Sequence, residues 1–99
     1  MITHIVMWTL AATDDEQRAA DAAAITESLE RLVGIVPGLR SLTVTANTED
    51  VPANFDLVLR SEMDDRAALD RYLDHPEHLA AVAIVRPRVN GRAAIDVAS

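Results

Sequence analysis

Three histidines and one tyrosine are the side chains of this sequence that best suit proton transfer near neutral pH. His4 lies close to the start of the chain, and Tyr72 precedes the run His75-Pro76-Glu77-His78. An imidazole can serve as a general base, and a phenol can donate a hydrogen bond to an enolate oxygen. These residue types therefore suit an aldol or dehydration step on a carbonyl compound, with His78 as the base and Tyr72 and His4 as donors.

Each of these residues also has a structural interpretation. His75 and His78 have a spacing compatible with a shared metal ion, but no third ligand stands at a recognisable spacing, and the frame around Pro76 explains His75 as a helix cap. We therefore expect neither a metal nor a cofactor. His78 could be a buried histidine that holds the last helix to the first strand, with His4 as its hydrogen-bonded partner. Tyr72 could be a core residue whose hydroxyl finds a partner nearby.

Charge and composition narrow the range of partners. Sixteen acidic residues stand against nine arginines, with no lysine, and the net charge is −7. Nucleic acid is not expected as a partner, because phosphate binding depends on clustered positive charge. We interpret the basic cluster of Arg86, Arg88 and Arg92 as solvated loop arginines rather than an anion site. The absence of cysteine, of a leader segment and of any apolar run of membrane length predicts a cytoplasmic protein without membrane partners.

The strands that would position the candidate residues follow from alternation of apolar and polar side chains. This period of two predicts strands over residues 2–10, 39–47, 55–63 and 92–98. Residues 47–54 are polar turn formers and predict a loop, and Asn90-Gly91 predicts a turn before the last strand.

The helices follow from apolar residues at intervals of three and four. Such a stripe predicts a helix over residues 14–34, opened by a capping box that starts at Thr13 and ended by Pro37-Gly38. A second helical region is interrupted near His75, where Pro76 restarts it in a new direction. The order is β-α-β-β-α-β, an α+β domain of the ferredoxin-like class that spans residues 1–99.

A second copy of the chain would complete this fold. The first strand is apolar on both faces, whereas helices can cover only one face of the sheet. On the third strand, Val58 shares one face with polar Arg60 and Glu62, so the open face of the sheet is not fully polar. Two such sheets packed about a twofold axis would form a dimeric α/β barrel. We therefore predict a homodimer, with Arg60 and Glu62 as polar contacts across it.

Five segments together resemble the stress-responsive dimeric α/β-barrel family, often called Dabb. They span nearly the whole chain and comprise Ile2–Trp8, Pro37–Leu39, Phe55–Leu59, Tyr72–His78 and Ala94–Asp96. The resemblance implies the ferredoxin-like fold and the barrel dimer. Most members of the family have no assigned activity, although one plant branch includes a polyketide cyclase that uses aldol-type chemistry.

In that cyclase the second histidine of the His-Pro-x-His element is catalytic and a tyrosine assists it. The resemblance places these roles on His78 and Tyr72, and places His4 beside the site. We expect a homodimeric barrel of unassigned activity, with a cleft for a small apolar carbonyl compound. The alternatives are a cyclase-like enzyme with His78 as base and, third, a monooxygenase-like barrel. An open apolar cavity at His78 of roughly a few hundred Å³ would favour a small-molecule site, and a collapsed interior would favour structural roles.

Overall fold

The computed structural model describes all of residues 1–99 as four β-strands and three α-helices in the predicted order. The strands are β1 (Ile2–Leu10), β2 (Leu39–Ala46), β3 (Leu57–Met63) and β4 (Val89–Ala98). The helices are α1 (Asp15–Glu30), α2 (Arg66–Asp74) and α3 (Pro76–Val85), and a short 3-10 turn at Arg86–Arg88 joins α3 to β4. None of the helices combines the length and apolar character that crossing a membrane requires.

The four strands form one antiparallel sheet in the order β2-β3-β1-β4. β1 is therefore central, and β4 is an edge strand that pairs only with β1. Because side chains alternate across a strand, the even-numbered residues of β1 share the face that the helices cover. The pairing of β1 with β4 brings Asp96 opposite His4 and Arg92 opposite Trp8.

The hydrophobic core lies between this face of the sheet and the three helices. Ile25 of α1, Leu59 of β3 and Tyr72 of α2 are among its largest fully buried side chains. Trp8 also packs in this core on the helix-covered side. Burial of each such side chain contributes about 1.5–3 kcal/mol of transfer free energy, which holds the helices against β1 and β3.

The opposite face of the sheet carries an uncovered apolar strip. Ile5 pairs with Ile95 across β1 and β4, and Met7 pairs with Val58 across β1 and β3. Ile95 and Val97 are 57% and 46% exposed. We call these five residues the open-face strip.

The bounds of α1 differ from the prediction at both ends. Asp14, rather than Thr13, is the N-cap, and its carboxylate accepts a hydrogen bond from the Gln17 backbone N–H at 3.0 Å. The helix ends at Glu30 rather than residue 34. The apolar spacing continues through Leu32 and Val36 because both stay buried while the backbone passes into turns.

Two other boundaries were also predicted wrongly. β3 begins at Leu57 rather than Phe55, because the Asp56 carboxylate accepts hydrogen bonds from the Leu10 N–H at 2.8 Å and the Arg18 guanidinium at 2.7 Å. Asn90-Gly91 is part of β4 rather than a turn, since Gly91 pairs with Thr9 beside a register shift in β1. A Cβ at Gly91 would collide with the Thr9 side chain, so the missing side chain permits this pairing.

Candidate functional site

A cavity of about 160 Å³ lies between β1, β4 and the helices. Its walls are mostly apolar and include Trp8, Leu59 and Val85. Its polar lining side chains are His4, Tyr72, His78, Arg86 and Arg92. The structure therefore brings the three residues selected from the sequence into one cavity and adds two arginines to them.

Local structure places each of the three side chains. His4 is an even-numbered residue of β1 and so faces the helices, where it is buried. Tyr72 lies in the last turn of α2 and is also buried. His78 lies in the first turn of α3, which begins at Pro76. The prediction that His75 caps this helix is confirmed, because its Nδ1 accepts a hydrogen bond from the Glu77 backbone N–H at 3.1 Å.

The hydrogen bond of His78 determines which of its ring nitrogens can act as a base. Its Nδ1 lies 3.1 Å from the Leu73 carbonyl oxygen. A carbonyl oxygen can only accept, so Nδ1 carries the proton and Nε2 of the neutral ring holds a lone pair. Partial burial lowers the pKa of His78, and the positive charge of nearby Arg92 acts in the same direction. The ring is therefore neutral near pH 7, with a basic Nε2.

Tyr72 is in ring contact with both histidines. Its ring centroid is 4.3 Å from that of His78 and 6.0 Å from that of His4, the latter in an edge-on arrangement. Burial raises the pKa of the Tyr72 phenol, and no hydrogen bond offsets this. The phenol therefore stays protonated as a donor. The expectation that its hydroxyl is satisfied by a nearby protein group is wrong.

His4 is oriented by a residue that sequence reasoning missed. Its Nδ1 lies 2.5 Å from Oδ1 of Asp96, its register partner on β4. The carboxylate accepts from Nδ1 and leaves Nε2 as the other ring nitrogen. Asp96 appears in the sequence as one acid in an apolar strand, and only antiparallel pairing of the first and last strands would have matched it with His4.

The two histidines do not form the hydrogen-bonded pair that the structural interpretation required. Their Nδ1 atoms bond to Asp96 and to the Leu73 carbonyl oxygen instead. His78 is thus tied to the end of α2 and not to β1. Nowhere in the structure do three or more His, Cys, Asp or Glu side chains cluster as a metal site would require.

The three arginines near the carboxyl end have different surroundings. Arg88 lies 3.4 Å from the Asp21 carboxylate and donates to the Ile84 carbonyl oxygen at 2.7 Å. Arg86 and Arg92 line the cavity instead. The interpretation as solvated arginines is therefore wrong for Arg88, which is half-buried, whereas Arg86 and Arg92 are exposed, although Arg92 lies on β4 rather than in a loop.

Comparison with known proteins agrees with this architecture. The family described as Stress responsive A/B Barrel Domain (Dabb) matches residues 2–99. An uncharacterised protein of Streptomyces coelicolor is 38% identical over 88 residues, which cover 87% of this chain and 88% of that protein. A solved dimeric protein of unknown function and ferredoxin-like fold from Bacteroides fragilis is 28% identical, with a TM-score of 0.86 over 97% of this chain and 93% of that chain.

A solved antibiotic biosynthesis monooxygenase is more distant. It is 17% identical, with a TM-score of 0.75 over 100% of this chain and 98% of that chain, and this likeness shows the fold alone. The ferredoxin-like fold and the family predicted from the five sequence segments are both confirmed. This chain belongs to the stress responsive A/B barrel domain family, Dabb.

Proposed function

We propose that this chain forms a homodimer in which each protomer binds a small carbonyl compound in the cavity, with His78 as the general base. One observation carries the proposal: His4, Tyr72 and His78 line the same mostly apolar cavity, and His78 is held in the tautomer that leaves Nε2 basic. The reaction class is removal of a proton next to a carbonyl group, followed by aldol-type bond formation.

The proton movements balance within these side chains. His78 Nε2 takes the proton from the carbon next to the carbonyl, and the Tyr72 hydroxyl donates a hydrogen bond to the resulting enolate oxygen. The enolate carbon then bonds to a second carbonyl carbon, and the new alkoxide takes the proton back from His78. His4 is the other histidine in contact with the Tyr72 ring, and the Asp96 carboxylate accepts a hydrogen bond from its Nδ1 and so orients it.

The volume of the cavity limits the compound. An apolar cavity of about 150 Å³ holds a benzene ring, whereas drug-sized ligands need roughly 300 Å³ or more. The observed 160 Å³ therefore suits a single ring or a short chain. A long polyketide chain or a porphyrin would have to extend outside it, so small carbonyl compounds are favoured over a cyclase-like polyketide substrate or a haem-dependent monooxygenase reaction.

The homodimer is supported by the open-face strip. A face with Ile95 and Val97 exposed to water gains free energy when a second copy covers it. The relative from Bacteroides fragilis is dimeric. Arg60 and Glu62 lie on the same face, 3.4 Å apart, and would lie in or beside the contact between the sheets.

Proton exchange tests the catalytic part of this proposal. Wild type, His78→Asn and His75→Asn are incubated with small ketones and keto acids in D₂O, and deuterium uptake next to the carbonyl is followed by NMR. Asparagine at position 75 retains helix capping, so this variant is a matched histidine control. We expect wild type and His75→Asn to accelerate uptake of at least one compound, and His78→Asn to be slower by about a hundredfold.

Either of two results would overturn the base assignment. One is unchanged exchange in His78→Asn. The other is exchange no faster than in buffer for compounds that bind wild type, which would make the chain a binding protein without this activity.

A further inference from the structure

We propose that the cavity selects anionic compounds, specifically small apolar carboxylic acids, and that Arg86 and Arg92 bind the carboxylate. This inference rests on the proposed function in using the same cavity, and it adds the chemical class of the compound. In this arrangement the carboxylate of the ligand binds to the two arginines. The apolar part of the ligand contacts the cavity walls, and its carbonyl group lies near His78.

The first support is the lack of intramolecular partners for these two arginines. The chain has nine arginines and sixteen acidic residues, so carboxylates with which an arginine could form an ion pair are in excess. Six of the nine form ion pairs with Asp or Glu, namely Arg18, Arg31, Arg40, Arg60, Arg66 and Arg88. Arg86 and Arg92 form none, and both line the cavity. The third arginine without an ion pair, Arg71, does not line it.

The second support is the composition of the cavity wall. Acidic residues are abundant in this chain, yet none of the lining residues is Asp or Glu. Asp96 lies behind His4 rather than in the wall. An anion in the cavity would therefore meet two guanidinium groups without a carboxylate beside it. A wall of this kind attracts anions electrostatically even though the whole chain carries a charge of −7.

The third support is that the two arginines approach the cavity from different elements. Arg86 follows the end of α3, and Arg92 lies on β4 opposite Trp8. An anion bound by both side chains would therefore bridge the segment after α3 and the edge strand β4. Arg92 also lines the same cavity as His78, and its positive charge acts to lower the pKa of that imidazole.

A carboxylate fits this site better than a phosphate. Guanidinium groups bind both, often through two parallel hydrogen bonds. The other lining residues are chiefly Val, Leu and Trp, and the volume admits about one ring. A single negative charge on an apolar body matches two rim arginines and apolar walls, whereas a doubly charged, strongly hydrated phosphate would leave most of the wall unused.

Calorimetric titration with matched ligands tests the proposal. Benzoate and benzamide have nearly the same size and differ in charge, and inorganic phosphate supplies an anion without an apolar body. The proteins are wild type, Arg86→Gln, Arg92→Gln, the double variant, and Arg71→Gln as the matched control arginine. We expect wild type and Arg71→Gln to bind benzoate at least about tenfold more tightly than benzamide, and each cavity variant to lose about tenfold.

Three results would overturn the inference. They are equal binding of benzoate and benzamide, phosphate binding as tight as benzoate, and loss of benzoate binding in Arg71→Gln to the same degree as in the cavity variants. Benzoate has no proton next to a carbonyl group that a base could remove, so this result is independent of the exchange assay. Failure of anion selectivity with successful exchange would leave His78 as a base for neutral ketones, and the reverse result would leave an acid-binding cavity.

Discussion

The ring of Tyr72 lies against the ring of His78, with centroids 4.3 Å apart and planes tilted by 41°. This contact joins the last turn of α2 to the first turn of α3, and the His75 cap between them sets the change of direction. The phenol and the basic imidazole therefore form one unit in the cavity wall, and each can be changed separately.

Removal of the Tyr72 hydroxyl should separate function from stability. The hydroxyl has no protein partner, so Tyr72→Phe should change the free energy of unfolding by no more than about 1 kcal/mol. If the phenol donates to an enolate oxygen, the same variant should slow proton exchange by about a hundredfold. Chemical denaturation and the NMR exchange assay measure the two effects. Tyr72→Ala is the contrasting variant, expected to lose about 3–5 kcal/mol because it empties a core position.

The pH profile of exchange should report the neutral form of His78. Burial lowers the pKa of this imidazole, so the active base is present above its pKa and is lost on acidification. The rate should rise with pH and reach half its plateau below the ordinary histidine value of 6.5. A midpoint at or above that value would contradict a base whose partial burial favours its neutral form.

Folding stability should follow the same titration. Because the pKa of His78 is lower in the folded chain, the unfolded chain takes up the proton first as the pH falls through 6.5. The free energy of unfolding should therefore decrease in acid, and His78→Asn should lack this part of the decrease. Urea denaturation of both proteins between pH 8 and pH 5 measures the difference. If the free energy of unfolding depended on pH equally in the two proteins, the pKa of His78 would be the same in the folded and unfolded chains.

Asp96 should act by orienting His4. Asp96→Ala removes the acceptor of Nδ1–H, and because the carboxylate is 45% exposed the stability loss should be about 1 kcal/mol or less. The imidazole N–H resonance of His4 should broaden or shift, and proton exchange should slow. Asp70→Ala, which removes an exposed carboxylate paired with Arg66, is the control and should leave that resonance in place. An unchanged His4 signal in Asp96→Ala would exclude the orienting role.

The open-face strip should hold the dimer together. Light scattering should give wild type a mass of twice the 10.7 kDa chain. Ile95→Asp places a charge within the strip and should yield monomer. Leu79→Asp is the matched control, because Leu79 is 54% exposed but lies on α3, and it should remain dimeric. A wild-type monomer at micromolar concentration, or dissociation by both variants alike, would contradict this interface.

Local patterns were enough to predict the fold and part of the site. Alternation in β1 predicted that His4 shares a face with Trp8, and the residues around Pro76 predicted the cap at His75. Long-range pairing was not readable in this way. The partner of His4 depends on the register of β4, and whether Arg86 or Arg92 meets a carboxylate depends on the whole tertiary arrangement. The free hydroxyl of Tyr72 is likewise a property of its surroundings, since a buried tyrosine usually has a partner.

Alternating residues of β4 point to opposite faces of the sheet, one facing the proposed dimer contact and the other facing the cavity side. Ile95 and Val97 point to the open face, while Arg92 and Asp96 face the side of His4. A change in the position of this edge strand therefore acts on both faces at once. In a dimer that covers the open face, association and ligand binding are thermodynamically linked: a ligand that binds the dimer more tightly than the monomer strengthens the dimer by the same factor. The affinity of the cavity would then depend on protein concentration.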